Sequence, residues 1–234
     1  MAGFSTHITT SSVLGIGYGA TGYLVYDVHP ATCLLGAGLC GLSGMLPDLD
    51  SDTGVPLRES VTFGAAVVPM LLVDRFQQMG LTTDLIVIIG GLIYIGIRFG
   101  LAEMLKRYTV HRGMWHSIPA AAIVGLLAYL VCTDHYGLFE KMFKVVAVLL
   151  GFMSHLLLDE FYSIEWNRGS FRLKKSFGTA IKFYSKSGWA NVSTYGKLVM
   201  LIGLTVWMTI NDSTPPTWDD FRGMAQHVVD GWRR

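Results

Sequence analysis

The chain has 234 residues, 51% of them hydrophobic and 15% charged, with a mean hydropathy of +0.44. Such a composition excludes an ordinary soluble domain and points to an integral membrane protein, whose helices each need ~20 apolar residues to span a bilayer. A formal net charge of +1, with no basic domain and no recognised nucleic-acid motif, gives no case for a nucleic-acid partner.

The first twelve residues, MAGFSTHITTSS, carry no Lys or Arg, so a cleaved signal peptide is not expected and His7 is retained. Seven apolar runs follow: Ser12 to Tyr26, Ala31 to Leu46, Val61 to Val73, Leu85 to Ala102, Ile118 to Cys132, Phe143 to Leu158 and Leu198 to Ile210. Several are short and need flanking residues, local thinning of the bilayer or burial against neighbours. The first two runs hold Gly15, Gly17, Gly19 and Gly22, then Gly36, Gly38, Gly41 and Gly44. Glycine lets helix backbones approach closely in lipid, so these two helices are expected to pack tightly at the centre of the bundle. No strand precedes the glycines and no GK[ST] follows, which excludes a phosphate loop.

Pro69 interrupts the third run and Asp74 and Arg75 end its apolar part, so a short or tilted span is expected there. The fourth leads past Arg98 into the polar connection Glu103 to His116. Ser117-Ile118-Pro119 then reads as a helix start, with a capping hydroxyl and a proline in the first turn. Cys33, Cys40 and Cys132 lie in apolar runs without metal-type pairing and read as small buried hydrophobes. After Asp159, Arg168, Arg172, Lys174, Lys175, Lys182 and Lys186 alternate with Phe171, Leu173, Phe177, Phe183 and Tyr184, as in a segment lying on an anionic membrane face. The tail sets Trp218, Phe221, Ala225, Val228 and Trp232 on one helical face, which suits an interfacial or docking helix.

The expected fold is an all-α polytopic membrane bundle of about six to seven apolar helices with interfacial amphipathic segments. Its parts are a membrane-embedded core over residues 1–160, a basic aromatic segment over 161–196, a further membrane helix over 197–211 and an amphipathic tail over 212–234. Counting crossings, an even number of runs separates His7 from Asp48 and Asp50, those from His111 and His116, and those in turn from His155 and Asp159. All of them therefore fall on one face. That face also holds eleven Lys and Arg, against six on the other, so the positive-inside rule makes it cytoplasmic.

His155 and Asp159 stand four residues apart on a helix and point the same way, which makes a two-ligand clamp for a divalent ion such as zinc or, alternatively, a structural His–Asp hydrogen bond. Four histidines and several carboxylates on one rim exceed the needs of one tetrahedral zinc, whereas two ions ~3.5–4 Å apart would absorb them. Mixed His/Asp ligation suits zinc, manganese or iron better than calcium or magnesium. Such ions activate water near neutral pH and stabilise the oxygens around phosphorus. Arg112 is the expected phosphate clamp and, with Asp50, the expected catalytic group. Asp52, His29, His135 and His227 read as ordinary residues.

Taken in order, His7, LPDLDS at Leu46 to Ser51, HRGMWHS at His111 to Ser117 and GFMSHLLLD at Gly151 to Asp159 resemble the motifs of the LexA-regulated, inner-membrane-associated metal-dependent hydrolases, the YdjM-like family. The resemblance covers about residues 1–160. It implies a multi-helix membrane protein with a metal-hydrolase site built from His7, Asp48, Asp50, His111, His116, His155 and Asp159. Trp115 stands where that family usually has a small residue such as Thr, and the segment after Asp159 lacks its usual continuation.

The reading that follows is a bacterial inner-membrane, metal-dependent hydrolase, a phosphoesterase acting on a phospholipid or lipid-linked phosphate that enters from the leaflet. Two others use the same residues. A divalent-metal or proton transporter requires ionisable groups through the membrane depth, whereas here they gather on one rim. A scaffold with a structural metal site requires a centre closed by protein ligands.

Overall fold

The computed structural model describes residues 2–50, 55–101, 114–132, 137–167, 170–173 and 181–211, with 222–223, 226 and 229–231 near the C-terminus. Among these residues the chain forms seven α-helices: α1 (Phe4–Tyr26), α2 (Pro30–Ser43), α3 (Val55–Gln78), α4 (Thr83–Ile95), α5 (Ile118–Val131), α6 (Leu138–Phe161) and α7 (Gly188–Asn211). A 3-10 turn, Leu46–Asp50, follows α2, and a π-helical segment, Gly96–Leu101, extends α4. The architecture is the expected all-α membrane bundle, with one addition. Strands β1 (Ile164–Asn167) and β2 (Ser170–Leu173) form an antiparallel hairpin, Ile164 opposite Leu173, inside the stretch read as basic and aromatic.

Each of the seven apolar runs has most of its length in one of these helices, the second ending in the 3-10 turn and the fourth continuing into the π-helical segment. Four stretches are long and apolar enough to cross a membrane: Pro30–Asp48, Thr83–Gly100, Leu138–Phe161 and Gly188–Ile210. α5 is apolar but shorter. The third run does not break at Pro69. α3 continues through it for 24 residues. An internal proline costs ~3 kcal/mol in lost hydrogen bonding and steric clash. Packing along α4 offsets this, with Gly90 of α4 facing Pro69.

The bundle is centred on α6, which packs against α1, α2, α5 and the 3-10 turn. Its buried face includes Phe143, Ala147, Val148, Gly151, Phe152, His155 and Asp159. α1 buries His7, Ser11, Gly15, Gly19 and Gly22, a stripe of polar and small residues on a helix that packs against α2 and α6. A Cβ at Gly15 would lie 2.5 Å from the Ala37 carbonyl oxygen, and one at Gly151 would overlap the Cys40 carbonyl and the Ser43 hydroxyl. Gly17 and Gly38 have nothing within 4 Å, so only one face of each glycine run makes the close approach. Hydroxyls complete the seam where backbones meet, Ser11 Oγ donating to the Gly41 carbonyl at 3.0 Å and Tyr18 Oη to the Phe143 carbonyl at 3.0 Å.

The expected caps and thiols are where the sequence puts them. Ser117 caps α5, its Oγ accepting from the Ala120 N–H, and Cys33, Cys40 and Cys132 are free and buried. Two cations, Lys141 and Lys144, enter the bundle. Both are buried on the first turns of α6, with Lys141 Nζ 4.1 Å from the centre of the Tyr129 ring.

A prediction follows from the glycine contacts. Gly151→Ala forces apart two backbones and is expected to cost ~1–3 kcal/mol or more, the scale of overpacking. Gly17→Ala enters open space and should stay within ~0.5 kcal/mol of the parent. Thermal unfolding of the two variants in detergent compares them directly.

Candidate metal centre

Five side chains predicted for the site converge at one end of the bundle. α1 carries His7 on its second turn, the 3-10 turn after α2 carries Asp48, His116 immediately precedes the Ser117 cap of α5, and α6 carries His155 and Asp159. Pro47 is fully buried beside Asp48 and stiffens the turn. His155 Nδ1 lies 2.7 Å from the Gly44 carbonyl oxygen. A carbonyl only accepts, so Nδ1 carries the proton and Nε2 turns its lone pair toward the cluster.

That Nε2 is 3.6 Å from Asp48 Oδ1 and 3.8 Å from Asp159 Oδ2. His116 Nε2 faces the same two oxygens, at 3.6 and 3.9 Å. Both nitrogens are buried and have no hydrogen-bond partner. Hydrogen bonds of this type run ~2.7–3.2 Å, so these distances are too long for pairing. They lie close to the ~3.3–3.6 Å that separates neighbouring ligand atoms on a tetrahedral ion with bonds of ~2.0–2.2 Å. Orphaned polar atoms in a protein interior are rare, and an ion between them is one of the few arrangements that satisfies them.

His7 completes the cluster from the other side. Its ring stacks on His155 with centroids 3.6 Å apart, and its Nε2 lies 3.3 Å from Asp159 Oδ1. The Ala2 N–H donates to the same oxygen at 3.0 Å. Two sets of three donors, His7–Asp48–His155 and His116–His155–Asp159, are compact enough to hold an ion. His155 belongs to both and its Nδ1 is committed to Gly44, so the two sets share one donor nitrogen and could not both be filled through it. The Asp48 side chain is 23% exposed and that of Asp159 2%, which leaves the Asp48 edge as the approach.

Of the other predicted residues, Asp50 lies in the 3-10 turn with its side chain outside the described residues. His111, Arg112, Asp52, His135 and His227 also lie outside them. His29 sits at the far end of the bundle, where it caps α2 with Nδ1 accepting from the Ala31 N–H. Sequence reasoning missed the Gly44 carbonyl, for which the glycine run was the available signal, and the Ala2 N–H, for which there was none. The segment after the hairpin returns to this end of the bundle, its Lys182 carbonyl accepting from the Ile118 N–H at 3.1 Å.

A polytopic helical membrane protein with a buried His/Asp cluster at one end of its bundle is the class that fold and site define. The family profile described as YdjM inner membrane protein matches residues 1–209, from the first residues through most of α7, and the chain belongs to that family. No curated protein and no solved structure matches the chain.

The two carboxylates should differ in what their loss does to folding. Asp159 is buried and meets three imidazoles and a backbone N–H, so Asp159→Ala in chelator is expected to cost ~3–5 kcal/mol, as when one partner of a buried network is removed. Asp48→Ala, at the open edge, should cost ~1 kcal/mol. Unfolding in excess chelator keeps metal binding out of the comparison.

Proposed function

We propose that the protein is a membrane-bound, metal-dependent hydrolase: a phosphoesterase acting on a phospholipid or lipid-linked phosphate at the cytoplasmic face of a bacterial inner membrane. The observation that carries this reading is the pair of partnerless buried nitrogens, His116 Nε2 and His155 Nε2, aimed at the same two carboxylate oxygens. His116, His155 and Asp159 would hold the ion as a set of three donors with Asp48 at its exposed edge, and the His/Asp donor set suits zinc, with manganese or iron as alternatives. A divalent ion held there supplies Lewis acidity and lowers the pKa of water toward ~7.

The chain's own residues do the rest. The Gly44 carbonyl fixes the His155 tautomer, and His7 with the Ala2 N–H fixes the rotation of the Asp159 carboxylate. Asp48 faces the approach and leaves the centre open on one side, as hydrolysis needs and a structural site does not. Arg112 is assigned the phosphate by a bidentate contact, and Asp50 and His111 are assigned to a second ion or to proton transfer. The basic segment around Lys182 and Lys186 would draw an anionic lipid to the same rim.

A relay for protons or metal requires ionisable groups through the membrane depth. Between Lys144 and His155, α6 buries Val145, Ala147, Val148, Gly151, Phe152 and Ser154, which favours a fixed site over transport.

Purified protein is expected to contain stoichiometric transition metal and to release phosphate from phospholipid or phosphomonoester substrates. His155→Ala should lose both the metal and the hydrolysis. Full metal content in that variant, or metal uptake into proteoliposomes without hydrolysis, would overturn the assignment.

A further inference from the structure

An apolar cavity of about 290 Å³ opens beside the metal centre. Its near end is formed by Leu46, two residues before Asp48, and by Trp115, the residue before His116. Trp115 packs there with Leu46, Val61 and Ile97. From that rim the cavity follows α3 from Val61 to Leu71 and α5 from Val124 to Cys132. Ten residues of helix at ~1.5 Å each make it ~15 Å long. That is half of a ~30 Å hydrocarbon core, the depth of one leaflet. The gap exists because α3 leans on α4 and on the 3-10 turn but barely meets α5. Among the described residues of its wall, the polar groups are the Cys132 thiol, the Trp115 indole N–H and the Ser43 hydroxyl, the last one residue before the Gly44 carbonyl that holds His155.

We propose that this cavity binds one alkyl chain of a phosphate-bearing lipid, with the phosphate at the Asp48–His116 edge of the metal centre and Trp115 closing the chain's upper end. This rests on the hydrolase reading for the identity of the headgroup and deepens it by assigning the substrate's tail. A polar cluster at the mouth of a leaflet-long apolar slot is complementary to an amphiphile. Lipid tails are as apolar as the helix surfaces, so burial from the membrane adds little affinity in itself. The slot instead selects chain length and fixes where the phosphate stops.

Gly64 lines the cavity, and a Cβ added there meets nothing within 4 Å. Leucine at this position therefore fills the slot without displacing protein, and it improves the helix propensity of α3. Ala128 lines the slot nearer its far end.

The test uses full-length, metal-loaded protein in detergent and a series of lysophosphatidates of increasing chain length, with glycerol phosphate as the tail-less probe. A long-chain lysophosphatidate brominated on its chain should quench tryptophan fluorescence in the parent, and most of that quenching should vanish in Trp115→Phe. Gly64→Leu should weaken long-chain binding by about tenfold or more, the scale of an overpacked apolar site, while leaving glycerol phosphate unchanged. Ala128→Leu should weaken only the longest chains. Thermal unfolding of the variants confirms that they fold.

The slot is overturned if Gly64→Leu binds long chains as the parent does, or if brominated phosphatidylcholine quenches Trp115 equally and long-chain lysophosphatidate fails to displace it. Chain-length-dependent binding without phosphate release would keep the slot and remove the hydrolase reading. Phosphate release independent of chain length in parent and variant alike would do the reverse.

Discussion

At Gly151 the backbone of α6 comes so close to α2 that no side chain fits between them, and the Cys40 carbonyl and Ser43 hydroxyl occupy the space a Cβ would need. One turn further along α6, His155 reaches the Gly44 carbonyl at 2.7 Å, and one turn beyond that Asp159 reaches His7. The rise of α6 therefore converts a single close contact into the position of the cluster. In lipid there is no hydrophobic force between helices, so the contact that sets their separation must be one of van der Waals fit. A larger residue at 151 would move both site residues of α6 away from α2 together.

The same helix carries charge at both ends and little between. Near its start Lys141 sits against Tyr129, and Glu140 accepts from the Thr32 hydroxyl and the His29 N–H. Near its end are His155 and Asp159. Isolated charges are expensive at the bilayer centre, so polar groups collect at the two rims, where partners exist. The cluster end differs from the other in its surplus of unsatisfied nitrogens. Such a surplus is tolerated in an interior when something outside the polypeptide satisfies it.

Much of this was legible in the sequence because it depends on periodicity and parity. The i, i+4 spacing of His155 and Asp159 put both on one face, and an even number of apolar runs returned His7, Asp48 and His116 to the same end. The cap at Ser117 was readable from residue type alone. What was not legible depended on third parties. Pro69 looked like a break because the offsetting contact with α4 is tertiary. The burial of Lys141 could not be read because its aromatic partner is on another helix. The β1–β2 hairpin lay in a stretch whose basic and aromatic composition suggested only a membrane surface.

The depth of the cluster bears on its chemistry. His155 stands six residues before the end of α6, so it lies ~9 Å inside the helix rather than on top of it. It is fully buried, and away from water each charge–charge interaction is several times stronger than at a wet surface. Preorganised donors in such a place act on developing charge without solvent reorganisation. On the proposed reading the same depth would create a delivery problem, because a substrate phosphate would have to descend from the headgroup layer to reach the Asp48 edge. A soluble ester would lose its hydration with nothing to hold it there. A lipid lowered along the wall between α3 and α5 keeps its chain in an apolar medium throughout, and only its headgroup changes surroundings. The position of His155 ~9 Å inside its helix thus suits the membrane-anchored substrate proposed above.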